Sequence, residues 1–155
     1  MRVFLDANIF FAAAGSPKGG SAFVLELAKK KEIKVVTVMH ALLEAERNIQ
    51  NKLKKPAIMQ YYQDLLEVKP NIQPLPALSD RDMESLEGLL PRKDVPILLG
   101  AILSKSQFLI TLDRKDFLAN KNLEEVEFSF GIVNPGEFLN QYIYKTNSWE
   151  PKKQG

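Results

Sequence analysis

Arg2-Val3-Phe4-Leu5-Asp6-Ala7-Asn8 is an apolar run that stops on an acid and a turn. Phe108-Leu109-Ile110-Thr111-Leu112-Asp113 repeats the plan far downstream. Neither run alternates apolar with polar residues. Strands of this kind are covered on both faces, as in a parallel sheet flanked by helices. A further strand is expected within 32–38, centred on Val35-Val36, and a last one over 127–132. Asn71 to Gln73, hemmed in by Pro70, Pro74 and Pro76, supplies an edge strand at best. The intervening stretches carry helical periodicity. Helices are expected over about 9–14, 39–53, 57–68, 79–90 and 94–105, and from Pro135 to about Tyr144. Another runs to about Lys31, with Ser21 as its N-cap and Phe23, Val24, Leu27 and Ala28 on its inner face. Asp116 opens a short helical turn. Strands alternating with helices specify an α/β protein, a three-layer α/β/α sandwich with a mostly parallel central sheet.

The 155 residues suit one domain over 1–145, followed by a tail over 146–155. Hydrophobic residues at 45% and charged residues at 26% exclude a disordered or fibrous chain. The absence of cysteine removes disulfides, thiolate metal sites and cysteine nucleophiles. A single histidine, His40, excludes any site built on two imidazoles; at the start of a helix it reads as a packing or capping group. The net charge of +2 is too small to mark a nucleic-acid binder by itself. The clusters Lys29-Lys30-Lys31 with Lys34, Lys52 with Lys54 and Lys55, and Lys152-Lys153 read as solvated helix ends. Tyr142, Tyr144 and Trp149 suit either base stacking or helix packing. No targeting segment and no run of roughly 18 apolar residues is visible, so a cytoplasmic protein without membrane contact is expected.

The chemistry must then rest on carboxylates. Ligands of parallel sheets bind beyond the carboxyl ends of the strands. Asp6 and Asp113 end strands, and Asp94 starts the helix that leads into the second of them. A right-handed crossover brings that helix start to the same edge. Glu44 and Glu46 lie in the first two turns of the helix after the second strand, and Asp116 lies one turn past Asp113. Singly, each has an ordinary use: Asp6 and Asp94 as caps, Asp113 and Asp116 as a turn and cap, Glu44 and Glu46 on a helix surface. Jointly they repel, and a divalent cation cancels that repulsion. An all-oxygen set suits Mg²⁺ or Mn²⁺. A cation so held activates water and stabilises phosphodiester charge, which predicts metal-dependent phosphodiester hydrolysis. Lys18 and Lys93 are the candidate phosphate-backbone contacts. Helix phase leaves Glu44 and Glu46 open: a face through Met39, Leu42, Leu43, Ile49 and Leu53 buries Glu46, whereas one through Ala41, Leu42, Ala45 and Ile49 places Glu44 at its edge.

The order of these segments resembles the PIN domain family across about residues 1–143. The resemblance is carried by Val3-Phe4-Leu5-Asp6-Ala7-Asn8, Leu43-Glu44-Ala45-Glu46-Arg47-Asn48-Ile49, Lys93-Asp94-Val95-Pro96-Ile97 with Gly100-Ala101, Leu109 to Phe117 with its Thr111-Leu112-Asp113, and Ile132 to Leu139. It implies a strand order of 3-2-1-4-5 and a metal-dependent ribonuclease acting on RNA. Carried over by position, Asp6, Glu44, Asp94 and Asp113 form the catalytic acidic quartet, of which Asp6, Asp94 and Asp113 are expected to bind one or two Mg²⁺ or Mn²⁺ ions. Asp116 is an accessory acid and metal ligand, and Asn8 and Thr111 are polar groups at or beside the ligands. The residue following the acid favours Glu44, with Glu46 accessory. The resemblance further implies a homodimer and, for a toxin of a toxin–antitoxin pair, an antitoxin protein as partner. The glycine-rich loop from Gly15 to Gly20 and the insert from Pro56 to Pro76 depart from the most compact toxins of that kind. The competing expectation within the same fold is a catalytically weak or inactive module that binds RNA or protein. A phosphatase of similar architecture would want a second Asp where this chain has Asn8, and no receiver-domain pattern is present.

Overall fold

A computed structural model describes residues 1–142. The elements are β1 (Arg2–Leu5), α1 (Ala7–Gly15), α2 (Gly20–Lys29), β2 (Lys34–Thr37), α3 (Met39–Lys52), α4 (Lys55–Val68), β3 (Asn71–Ile72) and α5 (Asp80–Glu87). A 3-10 turn over Arg92–Asp94 leads into α6 (Val95–Leu103) and β4 (Phe108–Ile110). A π-helical turn over Arg114–Leu118, α7 (Lys121–Glu124) and β5 (Gly131–Val133) follow, and residues 135–142 form a last helix, α8. Tyr144, Trp149 and the expected tail over 146–155 lie outside the described residues.

The five strands form one all-parallel sheet in the order β3-β2-β1-β4-β5, the order the resemblance implied. β1 sits at its centre, paired with β2 on one side and β4 on the other, and Val3, Phe4 and Leu5 are fully buried. That double burial is why the strand shows no alternation in sequence. Helices cover the faces, with α1 packed against α2, α3 and α4, and α6 lying across β2. Asn71–Ile72 is the edge strand, exposed and only two residues long, as its flanking prolines require.

α6 approaches the sheet most closely at Gly100. A Cβ there would lie 2.6 Å from Val38 Cγ1 and 2.8 Å from the Phe4 ring. Helix propensity favours alanine, yet this gap has no room for it. Gly100→Ala is expected to destabilise the protein by about 1–3 kcal/mol through overpacking, read as a lower urea midpoint at unchanged m. An unchanged midpoint would mean that α6 shifts outward at no cost.

Four expectations change in detail. Gly19, in extended conformation, takes the N-cap position of α2; Ser21 falls inside the helix and is buried. Phe23 points outward, 55% exposed, because Val24, Leu25, Leu27 and Ala28 fill the inner face. The last strand begins at Gly131 rather than Glu127, because Phe128 and Phe130 stack on each other with centroids 4.9 Å apart. Lys29 is not a solvated helix end: its Nζ lies 2.8 Å from the buried Asp64 carboxylate, which also accepts from Gln60 at 2.9 Å. This pair ties α2 to α4.

Candidate active site

The parallel register sets the site. Leu5 pairs with Ile110, so the next residues, Asp6 and Thr111, leave the sheet side by side. The Thr111 hydroxyl donates to Asp6 Oδ2 at 2.8 Å. Asn8 Nδ2 donates to the same oxygen at 3.3 Å and to Thr111 Oγ1 at 3.2 Å, while Asn8 Oδ1 accepts from the Leu112 amide at 3.0 Å. The Ala7 amide donates to Asp6 Oδ1 at 2.6 Å, so Asp6 does cap α1. Asn8 and Thr111 therefore brace Asp6 across the two strand ends. Burial raises the Asp6 carboxyl from 3.8 to about 6, against the hydrogen bonds of Thr111 and Ala7; Glu44 and Asp113 add to the rise. One lone pair of Oδ1 remains for another partner.

Asp94, Asp113 and Asp116 offer carboxylate oxygens that all lie within 4.8 Å of one another. Asp113 accepts from the Asp116 amide at 3.0 Å, which turns the chain back on itself and brings the second acid to the first. Asp94 caps nothing: its side chain accepts no hydrogen bond from the first turn of α6, and its Oδ2 is buried without a partner. Burial, then the facing Asp116 carboxyl, pushes Asp94 well above the ordinary carboxylate range, with Lys93 pulling the other way. Lys93 Nζ stands 3.9 Å from Asp116 Oδ2. A buried carboxylate oxygen with no donor, facing two more acids, fits a hard divalent cation with oxygen ligands.

Asp6, Asn8, Glu44, Asn48, Lys52, Lys93, Asp94 and Asp113 line one cavity of about 210 Å³. Helix phase is thereby resolved. Ala41, Ala45 and Ile49 face inward on α3, which leaves Glu44 at the cavity wall. Glu46 instead faces α4, where after burial it is the main group opposing ionisation of Tyr62. Asn48 was not among the expected site residues and Lys52 was expected as a solvated helix end, although both follow Glu44 at steps of four and so share its face. Lys18 is exposed on the turn between α1 and α2 and does not line this cavity. His40 is exposed on the first turn of α3 and so is neither packed nor in the site.

No known family model matches the chain, and no curated protein matches it by sequence. Its fold does match solved structures. One is VapBC2 from Rickettsia felis bound to a DNA fragment from their promoter, with a TM-score of 0.57 at 18% identity, covering 86% of this chain and 98% of that one. At that identity the likeness speaks for the fold. Strand order, all-parallel pairing and this likeness together make the fold PIN-like.

Proposed function

We propose that this chain is a ribonuclease dependent on Mg²⁺ or Mn²⁺, cutting RNA phosphodiester bonds at the rim formed by Asp6, Glu44, Asp94, Asp113 and Asp116. The observation that carries the reading is the buried, unpartnered Asp94 Oδ2 within a three-carboxylate cluster. Asp94, Asp113 and Asp116 would hold the cation. Asp6, fixed by Thr111, Asn8 and Ala7, faces the same space and completes the charge. Glu44 stands across the cavity, where it orients water or takes up its proton. A divalent cation held there would supply activation of water and neutralisation of charge on the phosphoryl oxygens. Lys93 and Lys52 supply the positive charge that an RNA backbone needs near so many acids.

The partners follow from the same reading: an RNA substrate, a second copy of the chain, and an antitoxin protein if the chain is a toxin. Among the described residues no helix is long and apolar enough to cross a membrane, and we place the protein in the cytoplasm.

A labelled pool of single-stranded RNA tests the activity. Cleavage is expected with Mg²⁺ or Mn²⁺, is lost in EDTA, and yields no 2′,3′-cyclic phosphate, because water and not the 2′-hydroxyl attacks. Cyclic ends or cleavage in EDTA would contradict the reading; tight binding without turnover would replace it with an RNA-binding module. Within this assay Glu44→Gln is expected to lower the rate roughly 10–100-fold, and Glu46→Gln to leave it unchanged. Equal losses would mean that the Glu46 face of α3 also serves the reaction.

A further inference from the structure

A second cavity, of about 580 Å³, opens on the other flank of the β4 end. Leu112 and Arg114 line it, whereas Asp113 between them lines the acidic cavity. Two helix N-termini meet there. Gly19, Gly20 and Ser21 open α2, and Asn134, Pro135 and Gly136 open α8. They pack tightly, since a Cβ on Gly20 would touch Pro135 Cβ at 3.4 Å.

Several donors at this junction are unspent. No side chain caps α2, and the first-turn amides of a helix have no partner within it. Asn134 Oδ1 takes the Glu137 amide at 2.7 Å, and the Glu137 carboxylate is turned back to the Asn134 amide at 3.0 Å, so neither side chain caps the amide of Gly136, which lines the cavity. Ser21 is only 5% exposed, lines the cavity, and its hydroxyl has no hydrogen-bond partner among the described residues. That hydroxyl is not sealed from solvent and is open to a ligand in the cavity. Arg114, exposed at the mouth, forms no ion pair among the described residues. First-turn amides of two helices, a free hydroxyl and a guanidinium are a donor set suited to a phosphate. The remaining walls, Ala12, Leu112, Leu118 and Pro135, are apolar, and the volume is that of a small-molecule site.

We propose that this cavity is a phosphate-binding subsite that seats a nucleotide next to the bond cut at the acidic rim, with its phosphate on Ser21, Gly136 and Arg114 and its base against Leu112, Leu118 and Pro135. The place of that nucleotide in an RNA chain rests on the ribonuclease reading; the phosphate site itself does not. The subsite adjoins the acidic rim because single residue steps past the β4 end alternate between the two cavities, with Leu112 and Arg114 lining this one and Asp113 the other.

The test is a titration of ¹⁵N-labelled full-length protein in EDTA with nucleoside 5′-monophosphates and with the matching nucleosides. The amide signals of Gly20, Ser21 and Gly136 are expected to shift saturably with the monophosphate and to stay in place with the nucleoside. Arg114→Gln, an exposed substitution that spares the fold, is expected to weaken binding about tenfold. Ser21→Ala should weaken it severalfold. In RNA cleavage Arg114→Gln should raise KM and leave kcat in place. Unmoved amides, equal shifts with the nucleoside, or full affinity in Arg114→Gln would overturn the subsite. Shifts without any RNA cleavage would keep the phosphate site and remove the ribonuclease reading; cleavage without shifts would do the reverse.

Discussion

Asp6→Asn lowers RNA cleavage by about a thousandfold and, in metal-free buffer at pH 7.5, raises thermal stability. Both effects have one origin. Asp6 is buried at the end of the central strand, and burial raises its carboxyl from 3.8 to about 6. The folded state therefore binds this proton more tightly than the unfolded state. The stability it contributes is complete below about pH 4 and is lost as pH rises through about 6. A shift of about 2 units corresponds to roughly 3 kcal/mol between protonation states. Asparagine removes the buried charge but sets an amide against Asn8 Nδ2, now 3.3 Å from Asp6 Oδ2, so the net gain at pH 7.5 is smaller, about 1–2 kcal/mol. Thermal unfolding in EDTA at pH 7.5, beside a cleavage assay, reads both effects. A lower Tm for Asp6→Asn would show that the carboxylate serves the fold; unchanged cleavage would remove Asp6 from the reaction.

Mn²⁺ binding is expected to weaken by roughly 10–100-fold from pH 7.5 to pH 5. A cation at this rim displaces protons from carboxyls whose pKa is raised. At pH 5 Asp6 is about one unit below its pKa and largely protonated, which alone weakens binding about tenfold. Asp94, raised by burial and by the facing Asp116, adds in the same direction. The Tm rise caused by Mn²⁺ should accordingly be large at pH 7.5, small at pH 5, and abolished by EDTA. In Asp94→Asn the rise should be much reduced at both values. Calorimetric titration across this range measures the slope directly. Affinity independent of pH would mean that the cation does not meet these two carboxyls.

The sheet was legible because parallel strands advertise themselves: two apolar runs without alternation, each ending on an acid, place Asp6 and Asp113 at one edge before any contact is known. Asp6 beside Thr111 then follows from register alone. Helix phase left the choice between Glu44 and Glu46 open, with only the resemblance favouring Glu44, because α3 has a helix on one side and the cavity on the other, and the packing of α4 shows which is which. Asp94 at a helix start, taken alone, read as a cap; its orphaned Oδ2 is a tertiary fact. Lys29 looked like a solvated end because Asp64, its partner on α4, is remote in sequence. Phe128 and Phe130 have strand character but satisfy each other outside the sheet, so β5 starts late. The phosphate cavity left almost no trace in sequence: a glycine-rich turn read only as a loop, and Ser21 looked like a cap until Gly19 took that position.

The most direct test of the cation site is diffraction from crystals grown with Mn²⁺, measured at the manganese absorption edge. An anomalous peak is expected within coordination distance of Asp94, Asp113 and Asp116, on the side facing Asp6 and Glu44, and it should vanish in Asp94→Asn crystals. Crystals with Mn²⁺ in excess and no peak among these carboxylates, or a peak that persists in Asp94→Asn, would contradict it.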